Sequence, residues 1–234
     1  MDVTLPAHHV SISLPIEEAS GVAEARRFAM KLAEALQFSE SDIGRVALVV
    51  TEAATNIVQH AGRGEILLRP FALEAPASLE VLALDKGPGI ANVAEALRDG
   101  FSTGGSSGQG LGAIARLSTF FEISSVPGKG TALLARIGRV TSKRPAEPGL
   151  EWGAVCVPKR EEEVCGDAWA VTAGHVRNAI LVVDGLGHGL HAFDAAKEAL
   201  RAFWEHAGER PASILNALHQ TLRATRGAVA AVME

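Results

Sequence analysis

Two polar residues interrupt an apolar, helix-like stretch in the first half of the chain. Glu52 and Asn56 are four residues apart among valine, alanine and isoleucine. On a helix they therefore lie on one face, one turn from each other. Polar groups beside an apolar stripe cost stability unless they have partners. The pair is either a ligand-binding face or a boundary position that faces water.

A carboxylate followed by two glycines comes directly after an apolar strand-like segment. In Asp85-Lys86-Gly87-Pro88-Gly89, the aspartate can accept a hydrogen bond from a ligand amine while the flexible backbone turns past it. Taken alone, the same pattern is typical of an ordinary turn.

A glycine-rich loop leads into a helix at Ser106-Ser107-Gly108-Gln109-Gly110-Leu111-Gly112. Glycines let backbone amides approach phosphate oxygens, and a helix N-terminus adds its positive dipole end. The loop lacks the Gly-Lys-Ser/Thr ending of a Walker loop and does not follow the first strand of a βαβ unit, so neither a P-loop nor a dinucleotide site is indicated. By itself it also fits a flexible connector.

Periodicity predicts the elements that must position these residues. An N-cap at Ser39 or Ser41 opens the helix that carries Glu52 and Asn56. The strands predicted from alternation are 10–14, 65–71, 79–85, 121–125 and 131–137, and the helices predicted from apolar spacing are 16–36, 39–60 and 111–120.

The second half shows a separate pattern. Residues 138–149 lack periodicity and contain two prolines, which is typical of a linker. Strands are predicted at 152–157, 167–172, 179–183 and 228–232, and helices at 189–207 and 211–223. The predicted domains are therefore 1–139 and 151–234, joined by a linker over 140–150.

Composition narrows the class of protein. The 234 residues are 47% hydrophobic, which supports packed cores, and the net charge of −5 without a basic face argues against nucleic-acid binding. Cys156 and Cys165 do not show zinc-site spacing and are typical of a reduced cytosolic pair. The sequence shows neither a membrane-length apolar run nor a signal-peptide core, so a cytoplasmic location without membrane contact is expected.

Taken together, the three motifs resemble the N, G1 and G2 boxes of the GHKL ATPase superfamily. The resemblance is carried by "TEAATNIVQHA", "DKGPGI", "GQGLGAIARL" and "PGKGTALLARI", and it is nearest to the anti-sigma-factor serine/threonine kinases of bacterial partner-switching systems. It implies an α/β fold of the Bergerat type, a two-layer sandwich of a mixed sheet with helices on one face.

The resemblance also implies roles for individual residues. Asn56 would coordinate Mg²⁺, Glu52 would act as the general base, and Asp85 would accept the adenine amine. Thr131 would help to hold the base. The residues framing the lid over the phosphates, or lying beside it at the start of the helix, are Gly87, Gly89, Gly108, Gly110, Leu111 and Gly112.

Histidine kinases share these boxes but carry a phospho-accepting histidine on a long helix ahead of them. Here only His8 and His9 precede the first predicted helix, and His60 is interpreted as a helix-end cation. The sequence therefore favours a serine/threonine kinase.

The second half resembles the metal-dependent phosphatases of the sporulation stage II E type. In that family, residues at the positions of Asp167, Asp184 and the Gly185 carbonyl hold a two-metal centre of Mg²⁺ or Mn²⁺, whereas His188 is expected to be structural. The family has Gly-Gly-Asp where this chain has Cys165-Gly166-Asp167, and it needs aspartates beyond Glu234. A partial α/β phosphatase-like sandwich without turnover is therefore expected.

These features predict a bacterial regulator that uses Mg·ATP to phosphorylate a small antagonist protein, with a fused phosphatase-like module. A sigma factor or a phosphatase is a further candidate partner, and a homodimer is expected by analogy. Two alternatives stay open. One is a docking switch that binds ATP without transferring phosphate, and the other is a protein phosphatase in a longer natural chain.

Overall fold

The computed structural model describes residues 10–71, 77–98, 110–138, 152–159, 161–173 and 178–234. These residues divide into two compact units. The described residues from Ile12 to Gly138 form the first unit, and Val10 and Ser11 join the residues from Trp152 onwards in the second. The sequence-based boundaries at 139, 150 and 151 fall in residues outside the described ranges or at their edges, and they stay a prediction.

The first unit is built on a five-stranded sheet in the order β1-β2-β3-β5-β4. Its strands are β1 (Ile12–Ile16), β2 (Gly64–Phe71), β3 (Ser78–Asp85), β4 (Phe120–Val126) and β5 (Gly130–Gly138). All four pairings are antiparallel, so the expectation of a mixed sheet was wrong. The chain reverses at Pro127–Lys129, so β5 runs antiparallel to β4. On its other side β5 also runs antiparallel to β3.

Helices cover one face of this sheet. They are α1 (Ala19–Ala35), α2 (Glu40–Asn56) and α4 (Gly110–Leu117), whereas the four-residue α3 (Val93–Ala96) has no buried residue. On α1 the buried residues are mostly alanines, among them Ala25 and Ala29, which allows the helix to approach its neighbours closely. Alternate residues of the strands, such as Leu79 and Val81 on β3, complete the core.

Local signals in α2 explain where this helix begins and ends. The Ser39 hydroxyl accepts a hydrogen bond from the Asp42 backbone amide at 3.2 Å, which confirms Ser39 as the N-cap. The α-helix ends at Asn56 and continues as a π-helical turn over Ile57–Ala61, before Gly62 with φ +76°. Such π-turns are frequent at functional sites, and this one begins directly after Asn56.

The second unit has a three-stranded antiparallel sheet in the order β6-β7-β8. It contains β6 (Asp167–Ala173), β7 (Asn178–Gly185), α5 (Leu190–His206), α6 (Pro211–Leu222) and β8 (Ala228–Met233). Small residues of α5, including Ala195 and Ala199, pack beneath Leu181 and Val183 of the sheet. This unit is therefore a layer of helices packed against one sheet.

Two segments differ from the sequence-based expectation. Trp152–Val157 is not a strand, although it was predicted to be one. It pairs with no strand of the described sheets, and its apolar residues pack irregularly, with Trp152 edge-on to Trp169 at 4.9 Å between ring centroids. Helix α4 ends at Leu117 rather than near Phe120, because Phe120 already belongs to β4.

Within the described ranges, no helix has both the length and the apolar character that crossing a membrane requires.

Candidate functional site

Glu52, Asn56 and Gly110 meet at one point in the first unit. Glu52 and Asn56 lie on the same face of α2, and Gly110 begins α4. A β-carbon placed on Gly110 would stand 3.0 Å from Glu52 Oε2 and 3.5 Å from Asn56 Oδ1. The start of α4 therefore lies against the two polar side chains that the sequence singled out.

The amide group of Asn56 is a buried donor in this cluster. Its Nδ2 atom has no hydrogen-bond partner among the described residues and is shielded from solvent. A buried donor left unsatisfied costs about 1–3 kcal/mol. A phosphate oxygen would satisfy Nδ2 while Oδ1 is left for a metal ion, so the residues present fit Mg·ATP. Asn56 would then hold the ion, and the ion would neutralise phosphate charge.

Asp85 and Thr131 form a second polar group at the end of the sheet. They are direct cross-strand partners of β3 and β5 and lie on the face that the helices cover. Asp85 Oδ1 accepts a hydrogen bond from the Gly87 backbone amide at 2.8 Å, which fixes the carboxylate in the turn. The other carboxylate oxygen is then left as an acceptor for a ligand amine.

The Ser125 hydroxyl orients Thr131. Ser125 Oγ donates to the Gly130 carbonyl at 3.1 Å and accepts from the Ile90 amide at 2.8 Å. Ser125 Oγ also lies 2.9 Å from Thr131 Oγ1, and either hydroxyl can be the donor of this bond. In both arrangements the Thr131 hydroxyl keeps an acceptor lone pair that can take a hydrogen bond from a ligand amine.

Close backbone approach holds this end of the sheet together. Gly130 has φ +119°, and a β-carbon on it would collide with the Asp85 carbonyl oxygen. A glycine is therefore required where β5 starts beside Asp85. Gly89 has φ +71°, and a β-carbon there would lie 2.4 Å from the Val126 carbonyl oxygen.

Arg45 ties the far end of α4 to α2. Its Nε donates to the Leu117 carbonyl at 3.0 Å, and Nη2 donates to the same oxygen. The guanidinium is itself held by Asp42 at 2.9 Å, and Asp42 accepts from the Ser39 hydroxyl at 2.7 Å. Arg45 therefore links the end of α4 to the helix that carries Glu52 and Asn56.

Of the remaining predicted lid residues, Gly108 lies outside the described residues. Gly112 is buried in α4, and Leu111 packs against the core of the first unit. Gly112 and Leu111 thus position α4 through packing. The structure brings Glu52, Asn56 and Gly110 into one group and Asp85, Gly87 and Thr131 into another.

A cavity of about 690 Å³ opens at the same end of the sheet. Asp85 and Thr131 contribute to its wall, but Glu52 and Asn56 do not. Most of its lining, including Glu65, Leu84 and Ala132, lies on the sheet face away from the helices, as the register shows. We place the candidate nucleotide site by the helix-face residues, because they carry the groups that suit phosphate, metal and base.

In the second unit, Asp167 and Asp184 are direct cross-strand partners of β6 and β7. Burial, the charge of Asp184 and a hydrogen bond to Asp184 together raise the pKa of Asp167 above its usual value. Two carboxylates this close repel unless they share a proton or a cation. Among the described residues, no group of three or more His, Cys, Asp or Glu side chains is arranged to hold a metal ion.

Gly185 and His188 follow Asp184. The Gly185 amide donates to the Gly166 carbonyl at 3.0 Å, and a β-carbon on Gly185 would lie 2.3 Å from the Ala192 carbonyl oxygen. His188 Nδ1 is 2.7 Å from Glu162 Oε1, and the side chain is largely exposed. The structural role expected for His188 stays a prediction.

Sequence reasoning missed Arg45, Ser125 and Gly130 as contributors to the site. The Arg45 contact spans 72 positions of sequence, so no local pattern reveals it. Ser125 and Gly130 had a weak signal, since Ser125 ends the alternation of β4 and Gly130 closes the Pro127–Gly130 turn.

Comparison with known proteins accords with this geometry. A family model described as "Histidine kinase-like ATPase domain" matches residues 16–137, just over half of the 234-residue chain. The chain is also 36% identical over 114 residues to "Serine/threonine-protein kinase RsbT" from Bacillus subtilis (strain 168). That match covers 49% of this chain and 86% of the relative.

Two solved structures are similar over shorter or more divergent stretches. The first is described as "The bacterial stressosome: a modular system that has been adapted to control secondary messenger signaling" and matches at 36% identity and TM-score 0.31, covering 32% of this chain and 39% of that chain. The second, "Mycobacterial sensor histidine kinase MprB", matches at 16% identity and TM-score 0.35, covering 56% of this chain and 98% of that chain. The family model and the kinase relative together show that this chain belongs to the histidine kinase-like ATPase family.

Proposed function

We propose that the first unit is a serine/threonine kinase module that transfers the γ-phosphoryl group of Mg·ATP to a small antagonist protein of a bacterial partner-switching pathway. The observation that carries the proposal is the meeting of Glu52, Asn56 and Gly110 at the start of α4. The relative named serine/threonine-protein kinase RsbT supports the reaction class.

Phosphoryl transfer to a hydroxyl needs a base, a neutralised phosphate and exclusion of water. In the proposed reaction the acceptor oxygen attacks the γ-phosphorus, the Glu52 carboxylate takes the hydroxyl proton, and ADP leaves. Gly110 leaves no side chain between Glu52 and the incoming groups. A bound Mg²⁺ supplies charge neutralisation, and Asn56 is the residue we assign to hold it.

The base end of the nucleotide is assigned to Asp85 and Thr131. Both side chains present acceptors on the same face of the sheet. Asp85 is held by its hydrogen bond with Gly87, and Thr131 by its hydrogen bond with Ser125. An exocyclic amine donates, so this pair favours adenine over a base with a carbonyl at that position. The preference is tested by comparing ATP with GTP.

The first experiment is titration calorimetry of ATP with Mg²⁺ on the wild-type chain and on Asn56→Ala. Binding to the wild type and not to the variant supports the assigned site. Phosphate transfer is then followed with γ-labelled ATP and purified small antagonist proteins, each with a matched variant whose acceptor serine or threonine is alanine. Binding without transfer to any of them, in the wild type as in Glu52→Ala, would favour the docking switch.

The second unit is proposed to be a partial phosphatase-like module, and Asp167 and Asp184 are the residues that favour this second function. The proposed cations are Mg²⁺ or Mn²⁺, with the Gly185 carbonyl as a further ligand. Hydrolysis of p-nitrophenyl phosphate with Mn²⁺ tests it, with Asp184→Ala as the control. We expect no turnover, because no group of three or more metal-ligating side chains is assembled among the described residues. Mn²⁺-dependent turnover that Asp184→Ala removes would overturn this expectation.

A further inference from the structure

The two cysteines of the chain lie in contact in the second unit. Cys156 Sγ and Cys165 Sγ are 3.2 Å apart, and neither is in a disulfide. Both side chains are buried, at 7% and 3% exposure. A disulfide has a sulfur–sulfur distance of about 2.05 Å, so the two atoms need to approach by only about 1.2 Å.

Each thiol is also directed by a backbone carbonyl of the opposite segment. Cys156 Sγ donates to the Asp167 carbonyl at 3.3 Å, and Cys165 Sγ donates to the Val157 carbonyl at 3.5 Å. The backbone of Cys156 is held in turn by the Ser11 amide, which donates to its carbonyl at 2.7 Å. The facing positions of the sulfurs therefore follow from several contacts rather than from one rotamer.

The segment that carries Cys156 lies at the surface of the second unit. Trp152, Val155 and Val157 are 41%, 54% and 36% exposed, and the segment belongs to no strand. Backbone that lacks ladder hydrogen bonds opens locally at lower free energy than a strand does. A small disulfide reagent therefore has a route to the thiols that does not require the unit to unfold.

We propose that Cys156 and Cys165 form a reversible dithiol–disulfide site that reacts with low-molecular-weight disulfides such as glutathione disulfide. One cysteine sulfur loses its proton and attacks the reagent, which forms a mixed disulfide and releases one glutathione thiolate. The second cysteine loses its proton, and its sulfur attacks the sulfur of the first cysteine in the mixed disulfide. The internal disulfide forms, and the second glutathione leaves as a thiolate. The protein loses two electrons and two protons, and glutathione disulfide becomes two glutathione thiols.

Oxidation changes the start of β6. The bond would tie the Trp152–Val157 segment to the turn before Asp167. It would also remove the hydrogen bond that the Cys156 S–H group donates to the Asp167 carbonyl in the reduced protein. The site thus connects the redox state of the surroundings to the strand that carries Asp167. It does not rest on the proposed kinase function of the first unit.

The test equilibrates the folded chain with glutathione at a series of thiol to disulfide ratios, followed by acid quenching, alkylation and intact-mass measurement. We expect a species lighter by two hydrogen atoms with neither cysteine alkylated, at a reproducible midpoint. Trypsin cleaves after Lys159 and Arg160, between the two cysteines. The two peptides should therefore stay joined only through the disulfide, and dithiothreitol should separate them.

Control variants move or remove one thiol. Cys156→Ser and Cys165→Ser should each give only glutathione adducts or no reaction. Val155→Cys combined with Cys156→Ser shifts the thiol to a neighbouring exposed position and should also fail to form the internal bond. The proposal is overturned when both wild-type cysteines stay alkylatable at every ratio, or when only glutathione adducts or chain-to-chain disulfides form.

Discussion

Glu52 Oε2 lies 3.0 Å from the position that a β-carbon on Gly110 would occupy. The carboxylate on α2 and the first residue of α4 are therefore in contact across 58 positions of sequence, with no side chain between them. Packing of α4 against α2 produces this contact. Asn56, one turn further along the same face of α2, also lies beside Gly110.

Replacement of Gly110 by alanine should reduce phosphate transfer while the first unit stays folded. The added methyl group would press on the Glu52 carboxylate and shift either that side chain or α4. A displacement of about 1 Å costs a catalytic group about 100-fold in rate, and the shift needed here is smaller, so the loss should stay below 100-fold. The rate is measured under saturating ATP, alongside the circular dichroism spectrum.

Gly44→Ala is the matched control for Gly110→Ala. Gly44 lies within α2, and a β-carbon there would meet nothing within 4 Å. Alanine should leave transfer unchanged and stabilise the helix by about 0.5–1 kcal/mol. Equal loss of activity in both variants would show that the effect of Gly110→Ala does not come from its contact with Glu52.

Glu52→Gln should separate binding from transfer. Glutamine keeps the shape of the side chain but cannot take a proton, so the affinity for Mg·ATP should stay within a few-fold of wild type. Transfer should fall by about 10²–10⁴-fold, the usual contribution of a general base. Calorimetry and a labelled-phosphate assay measure the two quantities, and a variant that transfers phosphate normally would remove Glu52 from the role of base.

Arg45→Ala should weaken the packing of α4 against α2. The guanidinium donates two hydrogen bonds to the Leu117 carbonyl, and their loss should lower the free energy of unfolding by about 1–3 kcal/mol. Because α4 begins beside Asn56, the KM for ATP should also rise. Thermal unfolding and steady-state kinetics check the two effects.

The control for this variant is Arg27→Ala, at an exposed position on α1. It removes the same charge and should change neither quantity appreciably. Arg45→Lys should recover part of the lost stability, since an ammonium group can still reach one carbonyl oxygen. A normal KM in Arg45→Ala would leave the residue a purely structural one.

The stability of the second unit should fall as pH rises through the raised pKa of Asp167. Burial and the neighbouring Asp184 favour the protonated carboxyl in the folded state, so between the usual value of 3.8 and the raised value the folded chain binds more protons than the unfolded chain. The free energy of unfolding therefore decreases as pH rises across that window. Above the raised pKa it stays at the lower value.

Asp167→Asn removes this titration and should flatten the pH dependence of the unfolding temperature across the same window. Asp194→Asn, at an exposed position of α5, is the matched control and should leave the dependence as in the wild type. Mn²⁺ should raise the unfolding temperature of the wild type near neutral pH more than that of Asp167→Asn if the carboxylate pair binds the cation. Equal shifts in both would exclude Asp167 as a ligand.

The sequence by itself determined most of the elements and the identity of the chemical groups. Periodicity predicted α2 and the strand that ends at Asp85, and residue type narrowed the N-cap of α2 to Ser39 or Ser41, because these signals are local. Motif spacing singled out Glu52, Asn56 and Asp85, since residue type and distance along the chain are sufficient to recognise the pattern, and the resemblance to the GHKL superfamily added Thr131.

Only the tertiary structure decided which of these residues meet. The antiparallel register places Thr131 beside Asp85, and helix packing places Gly110 on Glu52 and Asn56. The Arg45 contact with Leu117 and the meeting of Cys156 with Cys165 depend on the path of the backbone between them. The failed strand prediction for Trp152–Val157 has the same origin, because an apolar segment becomes a strand only where a neighbouring strand offers hydrogen bonds.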